Sequence, residues 1–181
     1  KILSISEKYT LPKPVVHQAY YSLAARESEW DLLPLGIDQN IGTMVWSPLS
    51  GSALSGKISR NKQPPKDSRL STESTWSVQQ EKLFDIIDVL EDIAGETHHS
   101  VAQIALAWLL TRPSVAGLVI GARNKEQLIA NLQASEITLS KEHIKQLNDV
   151  SAVHPVYPYW HQQATVPHRD PLCVDICAKL I

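Results

Sequence analysis

Residues Val115–Ala134 read VAGLVIGARNKEQLIANLQA, and the fold turns on how that stretch divides. Ala116 to Ile120 is a short apolar run with β-branched residues, the pattern of a buried parallel strand. Gly121 follows at once and lets the backbone come close to whatever lies at the strand's carboxyl end. Asn124 then opens an amphipathic helix with Leu128, Ile129 and Leu132 on one face. A strand, a glycine turn, an arginine and a helix N-terminus in that order suit an anion, because free N–H groups and the positive end of the helix dipole converge there. Arg123 stands where its planar guanidinium can hold a phosphate through two parallel hydrogen bonds. The same residues also read as a plain turn at Gly121 with Asn124 and Gln127 as a capping pair. The stretch alone does not separate the two.

With 181 residues, 43% of them hydrophobic, the chain can form one domain with a substantial core. Its net charge of −2 shows no basic excess to suggest nucleic acid, and no block of like charge marks a disordered tail. The longest apolar run falls short of a membrane span, so a soluble cytoplasmic protein is expected. No charged-then-apolar leader resembles a signal peptide. Cys173 and Cys177 would share one face of a helix, but they make a poor metal site by themselves and read as two reduced thiols. The chain begins KILSIS, without an initiator methionine and partway through an amphipathic pattern, so upstream sequence is expected to be missing.

Ile2, Leu3, Ile5 and Tyr9 predict the last turns of a helix ended by Pro12 and Pro14. Val15–Leu23 (VVHQAYYSL) reads as a strand with interleaved polar residues. Gln18 near its carboxyl end either faces a ligand or is a satisfied core amide. Glu27–Asn40 predicts a helix that Pro34 kinks or stops early. Ile41–Trp46 is the next strand. The loop after it, Ser47–Ile58 (SPLSGSALSGKI), is rich in Ser and Gly and carries Lys57. It can present several backbone N–H groups to an anion, or it is a flexible connection. It has neither the Walker spacing nor GxGxxG. Ser59–Thr75 reads as a long loop of the kind that serves as a lid or is disordered. From Trp76 a helix carries Leu83, Ile86, Ile87, Leu90, Ile93 and Ala94 on one face, with Gly95 closing it. Ser100 and Gln103 form a capping box for Val101–Leu110, whose apolar content predicts burial. Ser140–Val150 is a further capped helix with Ile144 and Leu147 inward, and from Ala152 on an extended tail is expected.

Strands alternating with helices predict a parallel sheet with helical crossovers. Three strands by themselves would leave both sheet edges open, a state that proteins normally cover or close.

Four runs, PVVHQAYYSL, WSPLSGSALSGK, VAQIALAWLLTRP and VIGARNKEQLIANL, resemble the carboxyl-terminal half of the aldo-keto reductases in order and spacing, over roughly Pro14 to Ala152. The resemblance implies an α/β fold, a partial (β/α)8 TIM barrel holding about strands 6–8 with their helices. Residues 1–152 would form that half and residues 153–181 a tail packed on the barrel. It also implies NADP(H) bound across the carboxyl-terminal mouth, where barrels place phosphates after their last strands. By that likeness Gln18 matches the glutamine that bonds the nicotinamide carboxamide, and Trp46 the aromatic that stacks on the nicotinamide ring. Ser47, Pro48, Leu49 and Ser50 match the loop along the pyrophosphate, and Lys57 the lysine near the phosphates. Arg69 sits where related proteins add an arginine. Gly121, Arg123, Gln127 and Asn131 match the adenosine end, with Arg123 for the 2′-phosphate and Gln127 and Asn131 for ribose and adenine. Ala130 departs from members that carry an acidic residue there.

The family's tyrosine, lysine, aspartate and histidine would all come from upstream strands, so no catalytic residue is assigned within this chain. Tyr20, Tyr21, His17, His98 and His99 have no partner pattern that would replace them, and His98–His99 lacks metal-site spacing. The implied function is the cofactor-binding portion of a reductase acting on small carbonyl compounds, this segment alone being inactive. The alternative is a non-catalytic nucleotide-binding regulatory or scaffold subunit. Partners among nucleic acids and membranes are not expected, and self-association is left open.

Overall fold

The computed structural model describes residues 1–65 and 80–165. Trp76, Arg69, Cys173 and Cys177 lie outside the described residues, as does part of the long loop before Trp76. The three stretches that read as strands form β1 (Val16–Tyr20), β2 (Gly42–Trp46) and β3 (Val115–Val119). They pair in parallel in the order β1-β2-β3. The helices are α1 (Ile2–Lys8), α2 (Leu32–Gln39), α3 (Gln80–Thr97), α4 (Val101–Leu110), α5 (Lys125–Gln133), α6 (Lys141–Val150) and α7 (Tyr159–Thr165). Parallel neighbours need crossovers, and the helices between the strands supply them. The arrangement is a segment of a (β/α)8 barrel wall.

Period-two alternation gives the sheet two unlike faces. Ala19, Thr43 and Val45 point to the helix side and are buried. There Val45 joins one core cluster with Leu83, Ile86, Ile87, Leu90 and Ile93 of α3, Ile104 and Trp108 of α4, and Leu147 of α6. Each such side chain taken fully out of water contributes about 1.5–3 kcal/mol. On the other face, Gln18 lies beside Met44, Tyr20 beside Trp46, and Trp46 beside Val119. Trp46 is 45% exposed and Val119 44%. No described element covers this second face.

A polar cluster ties the end of β1 to the helices. The Tyr21 hydroxyl donates to Glu29 Oε1 at 2.5 Å, and Arg26 grips both oxygens of Glu29 at 2.9 Å. Arg26 Nη1 also donates to the Asn148 carbonyl at 2.8 Å and to Ser151 Oγ at 2.9 Å. The Trp108 indole donates to Asn148 Oδ1 at 3.0 Å, with the guanidinium groups of Arg26 and Arg112 over its ring. Burial, and secondarily the Glu29 carboxylate, push the Tyr21 phenol far above the ordinary tyrosine range.

Several sequence expectations need correcting. The strand expected over Val15–Leu23 stops at Tyr20, because Ser22 and Ala25 bond each other's backbone at 3.0 Å and turn the chain. Glu27–Asn40 is not one helix but a short 3-10 turn, Glu27–Glu29, followed by α2. The break falls at Asp31, before Pro34, which occupies the first turn of α2, where its missing N–H costs nothing. Gly95 does not close α3. That helix runs on to Thr97, and the chain leaves it at His98, whose φ of +57° makes the left-handed exit a glycine would otherwise supply. The stretch after Ala152 is not simply extended: it forms α7, with Tyr159 stacked on Trp30 at 5.1 Å. Leu128, Ile129 and Leu132 do share a face of α5, yet all are exposed, and no residue of that helix is buried. What holds α5 to α4 includes a polar tie, Gln103 Nε2 donating to the Ala130 carbonyl at 2.9 Å.

The capping box at Ser100 and Gln103 is present, as is the Ser140 cap, and α4 is buried from Gln103 to Leu109.

Candidate functional site at the carboxyl ends of the strands

Because the three strands are parallel, their carboxyl ends fall on one edge of the sheet. That edge carries Gln18 and Tyr20, then Trp46 with the loop from Ser47, then Gly121 and Arg123 after β3. Neighbouring strands lie about 4.8 Å apart, so these groups line a mouth roughly 10 Å across at strand level. Gln18 is exposed on the open face in register with Met44.

Trp46 ends β2 on the same face. Tyr20 stacks on it, ring centroids 4.7 Å apart and planes 28° from parallel. The Tyr20 hydroxyl and Ser50 Oγ are 3.0 Å apart.

The loop after Trp46 is bonded to itself rather than loose. Ser50 N donates to the Ser47 carbonyl at 2.9 Å, Gly51 N to Ser47 Oγ at 3.1 Å, and Leu54 N to the Leu49 carbonyl at 3.1 Å. The Ser50, Gly51 and Leu54 amides are thus engaged within the loop, and the Ser47, Ser50 and Ser55 hydroxyls are engaged as well, which fixes the loop's shape. Pro48 is buried and Leu49 packs on the core, which anchors the loop from below. Ser47, Ser50 and Ser52 have φ of +52°, +47° and +82°, and Gly51 between them has +64°. A non-glycine residue held there costs on the order of 1 kcal/mol or more, and such strain gathers at ligand clamps. Lys57, half-buried, follows at the end of this loop.

At the third strand, Gly121 and Arg123 are exposed, and a Cβ on Gly121 would stand in open space. Asn124 Oδ1 accepts from Gln127 N at 2.9 Å, and Gln127 Oε1 accepts from Arg123 N at 3.0 Å. The capping pair therefore exists, and its effect is to fix the backbone from which the Arg123 side chain extends. Asn131, one turn further along α5, is half-buried. Arg69 lies outside the described residues.

This edge therefore carries a primary amide on β1, an indole plate at the end of β2, a lysine at the end of the loop that follows β2, and an arginine beside open backbone after β3. Among the described residues no cluster of His, Cys, Asp or Glu could hold a metal ion, and no helix is long and apolar enough to cross a membrane.

Comparison with known proteins supplies the deciding observation: the sequence profile described as the aldo/keto reductase family matches residues 2–152. The chain belongs to the aldo/keto reductase family. Among its relatives, an uncharacterized oxidoreductase, YrpG, of Bacillus subtilis is 32% identical over 80% of this chain and 43% of its own length. A putative voltage-gated potassium channel subunit beta of Schizosaccharomyces pombe is 34% identical over 84% of this chain and 46% of its own. An NADH-specific methylglyoxal reductase of Escherichia coli is 33% identical over 68% and 37%. This aldo/keto reductase chain thus spans less than half the length of each of these relatives.

Two features of the site were not read from the sequence. One is Tyr20, whose signal is its place two residues after Gln18, which puts both on one sheet face. The left-handed serines carry no sequence signal, because serine adopts positive φ far less readily than glycine or asparagine.

Proposed function

We propose that this chain is the cofactor-binding portion of an NADP(H)-dependent aldo-keto reductase acting on small aldehydes or ketones. The observation that carries the reading is the convergence of Gln18, Trp46, the Ser47–Ser50 loop and Gly121–Arg123 on one edge of one parallel sheet. A bound nicotinamide supplies a hydride to a carbonyl carbon. This chain's part is to hold and orient. The Gln18 amide offers both a donor and an acceptor to a carboxamide. The Trp46 indole gives a flat surface for a heteroaromatic ring. Ser47 and Ser50 offer hydroxyls along a pyrophosphate with Pro48 and Leu49 anchoring them, and Lys57 offers charge. Arg123 suits a 2′-phosphate, with Gln127 and Asn131 toward the ribose and adenine, and Arg69 is a further candidate for the phosphates.

The acid that protonates the carbonyl oxygen belongs, on this reading, to residues preceding Lys1, and residues 153–181 are a tail on the barrel. A cytoplasmic location goes with the same reading. The test is consumption of NADPH with an aldehyde such as methylglyoxal, run on the full-length protein and on the 181-residue chain. Turnover is expected from the first and not from the second. Turnover by the short chain would overturn the assignment of the acid, and none by the full-length protein on a panel of aldehydes and ketones would overturn the reductase reading.

A second reading, a non-catalytic nicotinamide-nucleotide-binding regulatory or scaffold subunit, is favoured by the likeness to the Schizosaccharomyces pombe protein named as a channel beta subunit. It predicts tight cofactor binding by the full-length protein without carbonyl turnover.

A further inference from the structure

Tyr20 and Tyr21 are consecutive and do opposite things. Tyr21 faces the helices, fully buried, with its hydroxyl on Glu29. Tyr20, in register with Trp46, lies on the open face with the candidate site. Its ring covers the Trp46 indole at 4.7 Å, and its hydroxyl reaches Ser50 Oγ at 3.0 Å. One side chain of β1 therefore touches both the aromatic plate at the end of β2 and the strained loop that follows it.

An indole with nearly half its surface in solvent has several staggered rotamers open to it. A second ring stacked on it narrows that choice, and offset-stacked aromatic pairs are worth more than their buried area alone. Ser50, 8% exposed with φ of +47°, is the innermost of the left-handed serines, and its hydroxyl is the one joined to another strand. Orientation set before binding lowers the ordering cost that a ligand must otherwise meet.

We infer that Tyr20 is a positioning residue for the nicotinamide end of the cofactor. Its ring sets the plane of Trp46 and its hydroxyl sets Ser50, so that the stacking surface and the pyrophosphate loop are held as one unit. On this inference the phenol takes one face of the indole and a nicotinamide the other. The inference rests on the cofactor reading of the strand ends.

The full-length protein and its Tyr20→Phe and Tyr20→Leu variants are titrated by calorimetry with NADPH and, separately, with adenosine 2′,5′-bisphosphate, which occupies only the adenosine end. Tyr20→Leu is expected to weaken NADPH binding by about 3- to 10-fold while changing the bisphosphate by less than about twofold. Tyr20→Phe keeps the ring and is expected to stay within about threefold of wild type for NADPH. Equal weakening of both probes by Tyr20→Leu would mean a general loss of structure and overturn the inference. Unchanged or tighter NADPH binding would overturn it too, since the phenol would then be idle or in the cofactor's place. Wild-type protein that binds neither NADPH nor NADH defeats the cofactor reading and this inference with it, and is told apart from the other failures because no variant is needed to see it.

Discussion

Replacing Tyr21 with phenylalanine removes one hydroxyl from the buried cluster at the end of β1, and the consequence can be worked through. The carboxylate of Glu29 keeps Arg26 on both oxygens at 2.9 Å and Arg112 at 3.6 Å. It is therefore not orphaned, and the loss is that of one hydrogen bond to a charged acceptor, about 1.5–3 kcal/mol near neutral pH. The alkaline limb discriminates. Burial first, and the Glu29 charge second, hold the phenol protonated well above the ordinary value, which is near 10. A group whose folded pKa is raised contributes its full stability below the unfolded pKa and loses it as pH climbs past that value. Above about pH 10 the unfolded chain binds fewer protons at this residue than the folded one, so wild-type stability falls by up to about 1.4 kcal/mol per pH unit on this account. The Tyr21→Phe variant has no such loss. The stability gap between the two should therefore narrow by about 1 kcal/mol between roughly pH 10 and pH 11. Urea unfolding followed by far-ultraviolet circular dichroism, at neutral pH and at steps through that range, measures it. A gap that stays constant or widens with pH would place the Tyr21 hydroxyl in contact with water and overturn its burial.

Arg123→Ala should lower the preference for NADPH over NADH by about 1–3 kcal/mol, read from the two dissociation constants, and an unchanged preference would show that another group holds the 2′-phosphate. Gly36→Ala should destabilise although it lies in a helix. Its Cβ would stand 2.7 Å from the Ile41 carbonyl oxygen and 3.0 Å from Ser114 Cβ, and that overpacking of about 1–3 kcal/mol outweighs the roughly 1 kcal/mol that alanine adds to a helix. A raised melting temperature would contradict this. Arg60 donates to Glu81, Asp85 and Asp88 of α3 at 2.8, 2.5 and 2.7 Å on an exposed surface. Arg60→Ala should lower the melting temperature at low ionic strength and have little effect at about 1 M salt, where screening is nearly complete. An equal drop in both buffers would mean that the packing of Arg60 on Phe84, not its charge, is what matters.

Which stretches become strands, and that those strands run parallel, was legible in the sequence. Those follow from short-range rules: β-branched runs bounded by glycine, a capping box at Ser100 and Gln103, and the alternation of strand and helix. The sequence also pointed to Trp46 and Arg123, because each stands at or just beyond a strand end, where a local pattern suffices to place it. Which side chains meet depends on how the elements pack in three dimensions. Tyr20 and Trp46 are separated in sequence by a helix, and the parallel register alone brings them into a stack. Arg26, Glu29, Tyr21 and Asn148 form one buried cluster because α6 packs back near the end of β1, and no local window contains all four. The exposure of Leu128, Ile129 and Leu132 is likewise decided by packing: amphipathic spacing says that a face exists, and only the arrangement of neighbours says whether anything covers it.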